Sequence, residues 1–231
     1  MPLSQDTFTL WAKREETPSG FVRHPLICHL IDVAEVTRAM WSEVVPPAAR
    51  ESIAAAMGID QTNAELWLTL WAGLHDIGKA SPTFQQQLPY AKVPHGTISA
   101  LAIPVILTSE PFNLSSVLAH QVSIVIGGHH GVFPRSVEIN QARQQKDAIG
   151  RARWANARSE LAQALTSVLG FPSQRPSGAL DNASAMWIAG LISVSDWIGS
   201  DEHYFPYEDA ISVASSVLGR VDVYQSAEER A

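Results

Sequence analysis

Histidines and aspartates scattered along almost the whole chain, which make chemical sense only if they are gathered together, constrain this fold more than any other feature. They fall into five short blocks: His29, the pair His75-Asp76, His95, the pair His129-His130, and Asp196. The pivotal block lies in the run Leu74-His75-Asp76-Ile77-Gly78-Lys79. Adjacent His and Asp on a helix project about 100° apart, close enough for both to converge on ions at the helix surface. Neutral imidazoles together with carboxylates suit borderline first-row metals such as Mn, Fe, Co, Ni or Zn. The pattern therefore predicts a metal-dependent hydrolase.

Composition allows this and excludes several other classes. A chain of 231 residues, 46% hydrophobic and 17% charged, can bury a substantial core as one domain. No apolar run reaches the roughly 18–20 residues needed to span a bilayer, and no basic stretch leads into an apolar one at the N-terminus. The lone cysteine, Cys28, excludes an internal disulfide framework and reads as a small buried hydrophobe. A cytosolic protein with no membrane association is expected. The net charge of −7 argues against a broad, nonspecific grip on nucleic acid. One segment runs against it: Arg135, Arg143, Lys146, Arg151, Arg153 and Arg158 stand among only two acids, Glu138 and Asp147. That strip is either a solvated helix face or a surface that follows phosphates.

Helical patterns dominate, and the expected fold is all-α, single-domain, with the metal site in the helical core. Ala64 to Leu74 reads as a buried helix carrying His75-Asp76 at its C-terminal end. Thr97 to Leu107 reads as a helix capped by a hydroxyl and kinked at Pro104. Leu114 to Ile126 should close at Gly127-Gly128. Gln141 to Leu169 forms one long amphipathic helix or two broken near Gly150. Ala183 to Ile198 is apolar nearly all round and belongs in the core. Glu15 to Gly20, Pro46-Pro47, Gly58 to Asn63, Pro89 to Gly96 and Pro172 to Asn182 read as loops, and strand patterns are scarce.

Each candidate has a plainer alternative. Asp196 lies inside the most apolar helix, where an ionised carboxylate must be paired, protonated or metal-bound. No basic residue occurs between Asp181 and Asp201, so a salt-bridge partner has to come from elsewhere. His129-His130, bracketed by glycines, suit the rim of a cavity but also a helix cap. His29 shares an apolar helix face with Val33, Val36 and Met40 and by itself could be a satisfied core histidine. His95 alone reads as a loop residue, and His24, His120 and His203 as structural or surface residues. The run Gly73 to Lys79 mimics a phosphate-binding loop, but it lacks the following Ser/Thr and the preceding strand. Lys79 instead falls three residues after Asp76, where a continuing helix would set its charge beside a metal-bound phosphate.

The ordered set His29, His75-Asp76 with Ile77-Gly78-Lys79 and Phe84-Gln85, Pro94-His95-Gly96 with Ser99, Gly128-His129-His130-Gly131, and Ser195 to Ser200 resembles the HD superfamily of metal-dependent phosphohydrolases. It is most similar to the HD nuclease of type I CRISPR systems, which occurs as the N-terminal domain of a helicase–nuclease or as a separate chain. The motifs run from His29 to Ser200, leaving 201–231 as an acidic segment that could lead to a helicase part. The resemblance implies that His29, His75, Asp76 and Asp196 hold one ion. It implies that Asp76 bridges to a second ion held by His95, His129 and His130. The cofactors would be two divalent transition-metal ions, Mn, Fe, Co or Ni, with Mg and Zn left open. The implied activity is hydrolysis of single-stranded DNA by a metal-activated hydroxide, with Asp76 and Lys79 as catalytic residues. Implied partners are a helicase domain or subunit and the guide-RNA surveillance complex. Alternatives are an HD phosphohydrolase acting on nucleotides, or a noncatalytic HD scaffold binding a helicase. Gly199 departs from the pattern, which has a bulkier small residue at that place.

Overall fold

The computed structural model describes residues 3–18, 20–85, 88 and 93–207. A short helix α1 (Gln5–Phe8) leads into an antiparallel hairpin of β1 (Trp11–Thr17) and β2 (Gly20–Pro25). Helices α2 (Leu26–Glu43), α3 (Pro47–Met57) and α4 (Gln61–Gly73) follow, then a 3₁₀ turn at Ile77–Lys79. The remainder is α5 (His95–Thr108), α6 (Ser116–Gly127), α7 (Ser136–Gln144), α8 (Lys146–Ile149), α9 (Ala152–Leu169) and α10 (Asn182–Gly199).

Helix α4 is the centre of the molecule. The Asp60 carboxylate accepts the Asn63 N–H at 2.8 Å and starts it. Trp67, Leu68, Leu70 and Trp71 are all buried. A cap contributes about 1 kcal/mol, whereas each large apolar side chain taken from water contributes about 1.5–3 kcal/mol. Packing therefore holds this helix, and its near-uniform burial follows from neighbours on every side. Helix α2 packs on α4 and α10, and α5 packs on α6 and the 3₁₀ turn. These are the elements that carry the five blocks. Helix α10 starts where Asp181 accepts the Ser184 N–H at 2.7 Å.

At Gly199 an added Cβ would lie 2.9 Å from Val33 Cγ2 and 3.2 Å from the Val33 backbone. Glycine there lets the end of α10 press against α2, which accounts for the departure from the pattern of the resembling family. The same approach brings Asp196 towards His29.

Several local expectations are corrected. Glu15, Glu16 and Thr17 belong to β1 and Gly20 to β2, in a hairpin whose short strands alternate too weakly to stand out in sequence. Thr97 does not cap α5, which begins at His95 after Pro94 without a side-chain cap; Pro104 sits inside a helix that continues to Thr108. Pro47 opens α3, a position that needs no N–H. The segment from Gln141 is broken at Gly150, as the two-helix alternative has it, and also after Gln144. Helix α10 is not buried all round, because Met186, Trp187, Trp197 and Ile198 are exposed. No helix among the described residues is long and apolar enough to cross a membrane.

Candidate metal centre

The His75-Asp76 pair does not ride on the helix body. Helix α4 ends at Gly73, and the pair occupies the tight turn that follows, held by His75 N–H to Ala72 O at 3.0 Å and Ile77 N–H to Leu74 O at 3.1 Å. Ser99 of α5 clasps this turn: its hydroxyl accepts the Gly78 N–H at 2.9 Å and donates to His75 O at 2.8 Å. A Cβ on Gly78 would sit 2.1 Å from His95 O, so only glycine lets the start of α5 come this close. That approach delivers His95 to Asp76. Ser99→Ala leaves a buried donor and a buried acceptor unpaired, at a cost of about 1–3 kcal/mol. We expect a Tm lower by about 2–4 °C for each kcal/mol and a metal affinity reduced about 10–100-fold. Thermal melts and metal titration read both, and a variant matching the parent in each would show that the clasp does not position the turn.

All seven predicted ligands converge. His29, His75, Asp76 and Asp196 form one group and Asp76, His95, His129 and His130 a second, each offering ligand atoms within 4.8 Å of one another. Asp76 belongs to both. Its Oδ2 faces the first group, 3.1 Å from His29 Nε2 and 3.3 Å from His75 Nε2. Its Oδ1 faces the second, 3.1 Å from His95 Nε2 and 3.4 Å from His129 Nε2. Asp196 Oδ1 lies 3.3 Å from His75 Nε2 and 3.6 Å from His29 Nε2.

The donor set fits divalent first-row ions. His75 Nδ1–H donates to Ala72 O at 2.8 Å, and His129 Nδ1–H donates to Ile126 O at 2.7 Å. Each bond fixes the neutral tautomer and aims an Nε2 lone pair inward. His75 Nε2, His129 Nε2 and Asp76 Oδ1 are all buried, and none has a directed hydrogen-bond partner. Buried polar atoms left unpaired are costly, and these, divided between the two groups, are what a cation in each would satisfy.

Charge is finely divided across the site. Burial drives His29 down to about 3, against the pull of Asp76. Burial also works to lower His75, but Asp76 and Asp196 together raise it to about 9. Asp76 is penalised by burial yet held well below the usual carboxylate range by Lys79, His75 and His95. Burial likewise opposes ionisation of Asp196, and its contact with His75 outweighs that penalty and holds it down. His130 is lowered by burial and by its neighbours His129 and His95.

The consequence for stability has a definite sign. His75 has a raised folded pKa, so its contribution is complete below pH 6.5 and is lost as pH rises through about 9. His29 has a depressed folded pKa, so the unfolded chain binds the proton first and stability falls below pH 6.5 towards about 3. Chelator-treated protein should therefore melt highest near pH 6.5. A Tm still climbing at pH 9 would remove His75 from this role.

Lys79 is more enclosed than its position suggested. Its ammonium pairs with Asp76 Oδ2, and Nζ lies 5.3 Å from the centre of the Phe84 ring. One contributor was read only as the end of a motif, and another escaped the sequence reading. Ser200 Oγ donates to Asp196 Oδ1 at 3.0 Å, a contact at the i,i+4 helical spacing that could have been found. Lys13 Nζ donates to Ser200 O at 2.6 Å, and burial followed by Lys79 lowers its pKa. It comes from β1, 187 positions earlier, with no local signal to mark it. His24 is buried and bonded to Asp32 at 2.9 Å, and His120 and His203 are exposed; none of the three is in either ligand group. Cys28 is buried, as expected.

Comparison with known proteins places this geometry. Residues 11–205 match the family described as "Cas3, HD domain". The chain is 28% identical to the CRISPR-associated endonuclease/helicase Cas3 of Thermus thermophilus, over 96% of this chain and 26% of that protein. It is 29% identical to the CRISPR-associated nuclease/helicase Cas3 of Streptococcus thermophilus, over 85% of this chain and 25% of that protein. The chain thus spans about a quarter of the length of these relatives. Among solved structures, the Thermus thermophilus cas3 HD domain in the presence of Ni²⁺ superposes with a TM-score of 0.72 at 29% identity, over 98% of this chain and 91% of that one. A structure described as a CRISPR-associated protein gives a TM-score of 0.83 at 37% identity, over 99% of this chain and 27% of that one.

Proposed function

This chain belongs to the Cas3 HD-domain family, and we propose that it is a metal-dependent nuclease domain that hydrolyses phosphodiester bonds of single-stranded DNA. The observation that carries this reading is the position of Asp76, with one carboxylate oxygen turned to each of two imidazole-rich groups. His29, His75, Asp76 and Asp196 would hold one divalent ion, and Asp76, His95, His129 and His130 a second. Ions bound there would supply Lewis-acid activation of water and charge neutralisation at phosphorus.

The chain's own residues do the rest. The Ala72 and Ile126 carbonyls hold the His75 and His129 rings in orientation. Lys79 keeps Asp76 ionised and places a positive charge beside the reacting phosphate. Burial of His29, His75, Asp76 and His129 closes the site on one side. His130 and the partly exposed His95 leave it open on the other, so substrate enters there.

A helicase part and a guide-RNA surveillance complex are the proposed partners. Support comes from the endonuclease/helicase description of the Thermus relative. It also comes from a similar chain, 28% identical, solved in a "CRISPR RNA-guided surveillance complex, pre-nicking".

The test is anaerobic reconstitution with Mn, Fe, Co, Ni, Mg or Zn, each assayed on single-stranded DNA, duplex DNA and free nucleotides. Metal-dependent loss of the single strand, faster than of a blunt duplex, is the expected result. Hydrolysis confined to nucleotides would replace this reading with a nucleotide phosphohydrolase. No hydrolysis under any metal would leave a scaffold.

A further inference from the structure

The six basic residues between Arg135 and Arg158 have different environments, and the differences sort them by role. Arg158 is buried and donates to Ala80 O at 2.7 Å and Ile149 O at 3.1 Å, so it ties the segment after the metal turn to α8. Arg135 is held by Glu138 at the start of α7. Arg153 pairs with Asp6 at 3.2 Å beside α1 and lines a different hollow with Ser4 and Glu160. Arg143 and Lys146 are exposed and make no ion pair among the described residues. Among the described residues Arg151 forms an ion pair with Asp147 alone, and both are so exposed that the pair holds weakly.

Arg143, Lys146 and Arg151 line a single hollow of about 500 Å³, floored by Leu101 and Ile149, with no acid in its wall. A second hollow of about 380 Å³ opens at the metal centre, bounded by His95, His130, Thr97, Gln141 and Gln145. The two have no lining residue in common, but neighbouring residues of the same elements line both. On α5 the lining passes from Thr97 to Leu101, one helical turn or about 6 Å further on. Across the α7–α8 joint, Ala142 and Gln145 line the hollow at the metal centre while Arg143 and Lys146 line the basic one. The acid of the hollow at the metal centre, Glu138, already has its charge met by Arg135.

We propose that these adjoining hollows form one track for a single nucleic-acid strand. The strand passes from the His95–His130 opening along Gln141 and Gln145, and its flanking phosphates bind Arg143, Lys146 and Arg151. The proposal rests on the nuclease reading for the identity of the scissile site. Recognition is of the phosphodiester backbone and therefore independent of base sequence.

Binding of a labelled oligo-dT strand to the Mn-loaded full chain, measured by fluorescence anisotropy across a salt series, tests it. The strand carries sulfur-substituted linkages that resist hydrolysis. In Arg143→Ala/Lys146→Ala the slope of log affinity against log salt should become shallower by about 1.4, that is about 0.7 for each lost phosphate contact. Arg153→Ala removes one positive charge from another face and should keep the parental slope. An unchanged slope in the double variant, or an equal per-residue loss in Arg153→Ala, overturns the track. Cleavage of an unmodified strand by the parent chain is followed in parallel. If it is absent while the slopes still differ as expected, the nuclease reading fails and the phosphate track stands.

Discussion

Asp76→Ala should reduce metal-dependent strand cleavage to background, a fall of at least about 10³-fold. The size of the effect follows from geometry. Asp76 is the one side chain common to both ligand groups, with Oδ2 towards His29 and His75 and Oδ1 towards His95 and His129. Removing it weakens two ions at once and deprives the site of the anion that faces Lys79. The fold responds separately. With Asp76 gone, the largely buried Lys79 ammonium loses its partner, and breaking a buried pair from one side costs about 3–5 kcal/mol. Loss of the carboxylate also relieves its repulsion with Asp196. Asp76→Asn keeps the volume and an oxygen near Lys79, so it should retain more stability while still losing at least about 10²-fold of the activity. Circular dichroism melts alongside metal-reconstituted cleavage separate the two effects. Metal-dependent cleavage surviving in both variants would remove Asp76 as the bridge between the groups.

The sequence was most informative where chemistry overrides local preference. An aspartate inside the apolar run of α10 could be read because burial of such a group demands a partner, and a histidine in the apolar face of α2 only because the other blocks called for it. The structure supplies partners for each among the others. The helical class and most helix positions were legible for a related reason: apolar runs such as Ala64 to Leu74 are long enough to distinguish from strands. Where two elements meet, the sequence is silent. Nothing around His75 shows that α4 stops two residues earlier. The stop is set by the Ser99 clasp and the tight fit at Gly78, both of which come from α5. Lys13 could not be found at all, because β1 reaches the site only through the hairpin's fold-back. The basic strip was visible as composition, but Arg153 and Arg158 are tied to Asp6 and to backbone carbonyls by contacts that only tertiary structure creates, and Arg135 is held locally by Glu138. Val221-Asp222-Val223 also alternate in the sequence, too briefly to read as a strand, and lie outside the described residues.

The two ligand groups should fill in order, the His29 group first. His29, His75, Asp76 and Asp196 are all buried, and they come from α2, the turn after α4, and α10, elements packed on one another. The second group adds His95, the first residue of α5, and His130, which is exposed beyond the end of α6. Exposed side chains at element ends lose more freedom when they bind, and that cost comes out of the affinity. His129 is a partial exception, since it is buried and its ring is fixed by Ile126 O. His130→Ala is therefore the cleaner probe. It should cost the second ion about 10–100-fold in affinity, abolish most cleavage, and leave the first ion bound. His29→Ala should instead weaken the first ion. Calorimetric titration with Mn²⁺, paired with anomalous scattering from crystals at limiting metal, distinguishes one filled position from two. Loss of the first ion in His130→Ala as readily as in His29→Ala would mean that the centre binds its metals as one inseparable cluster, and the order of filling proposed here would be wrong.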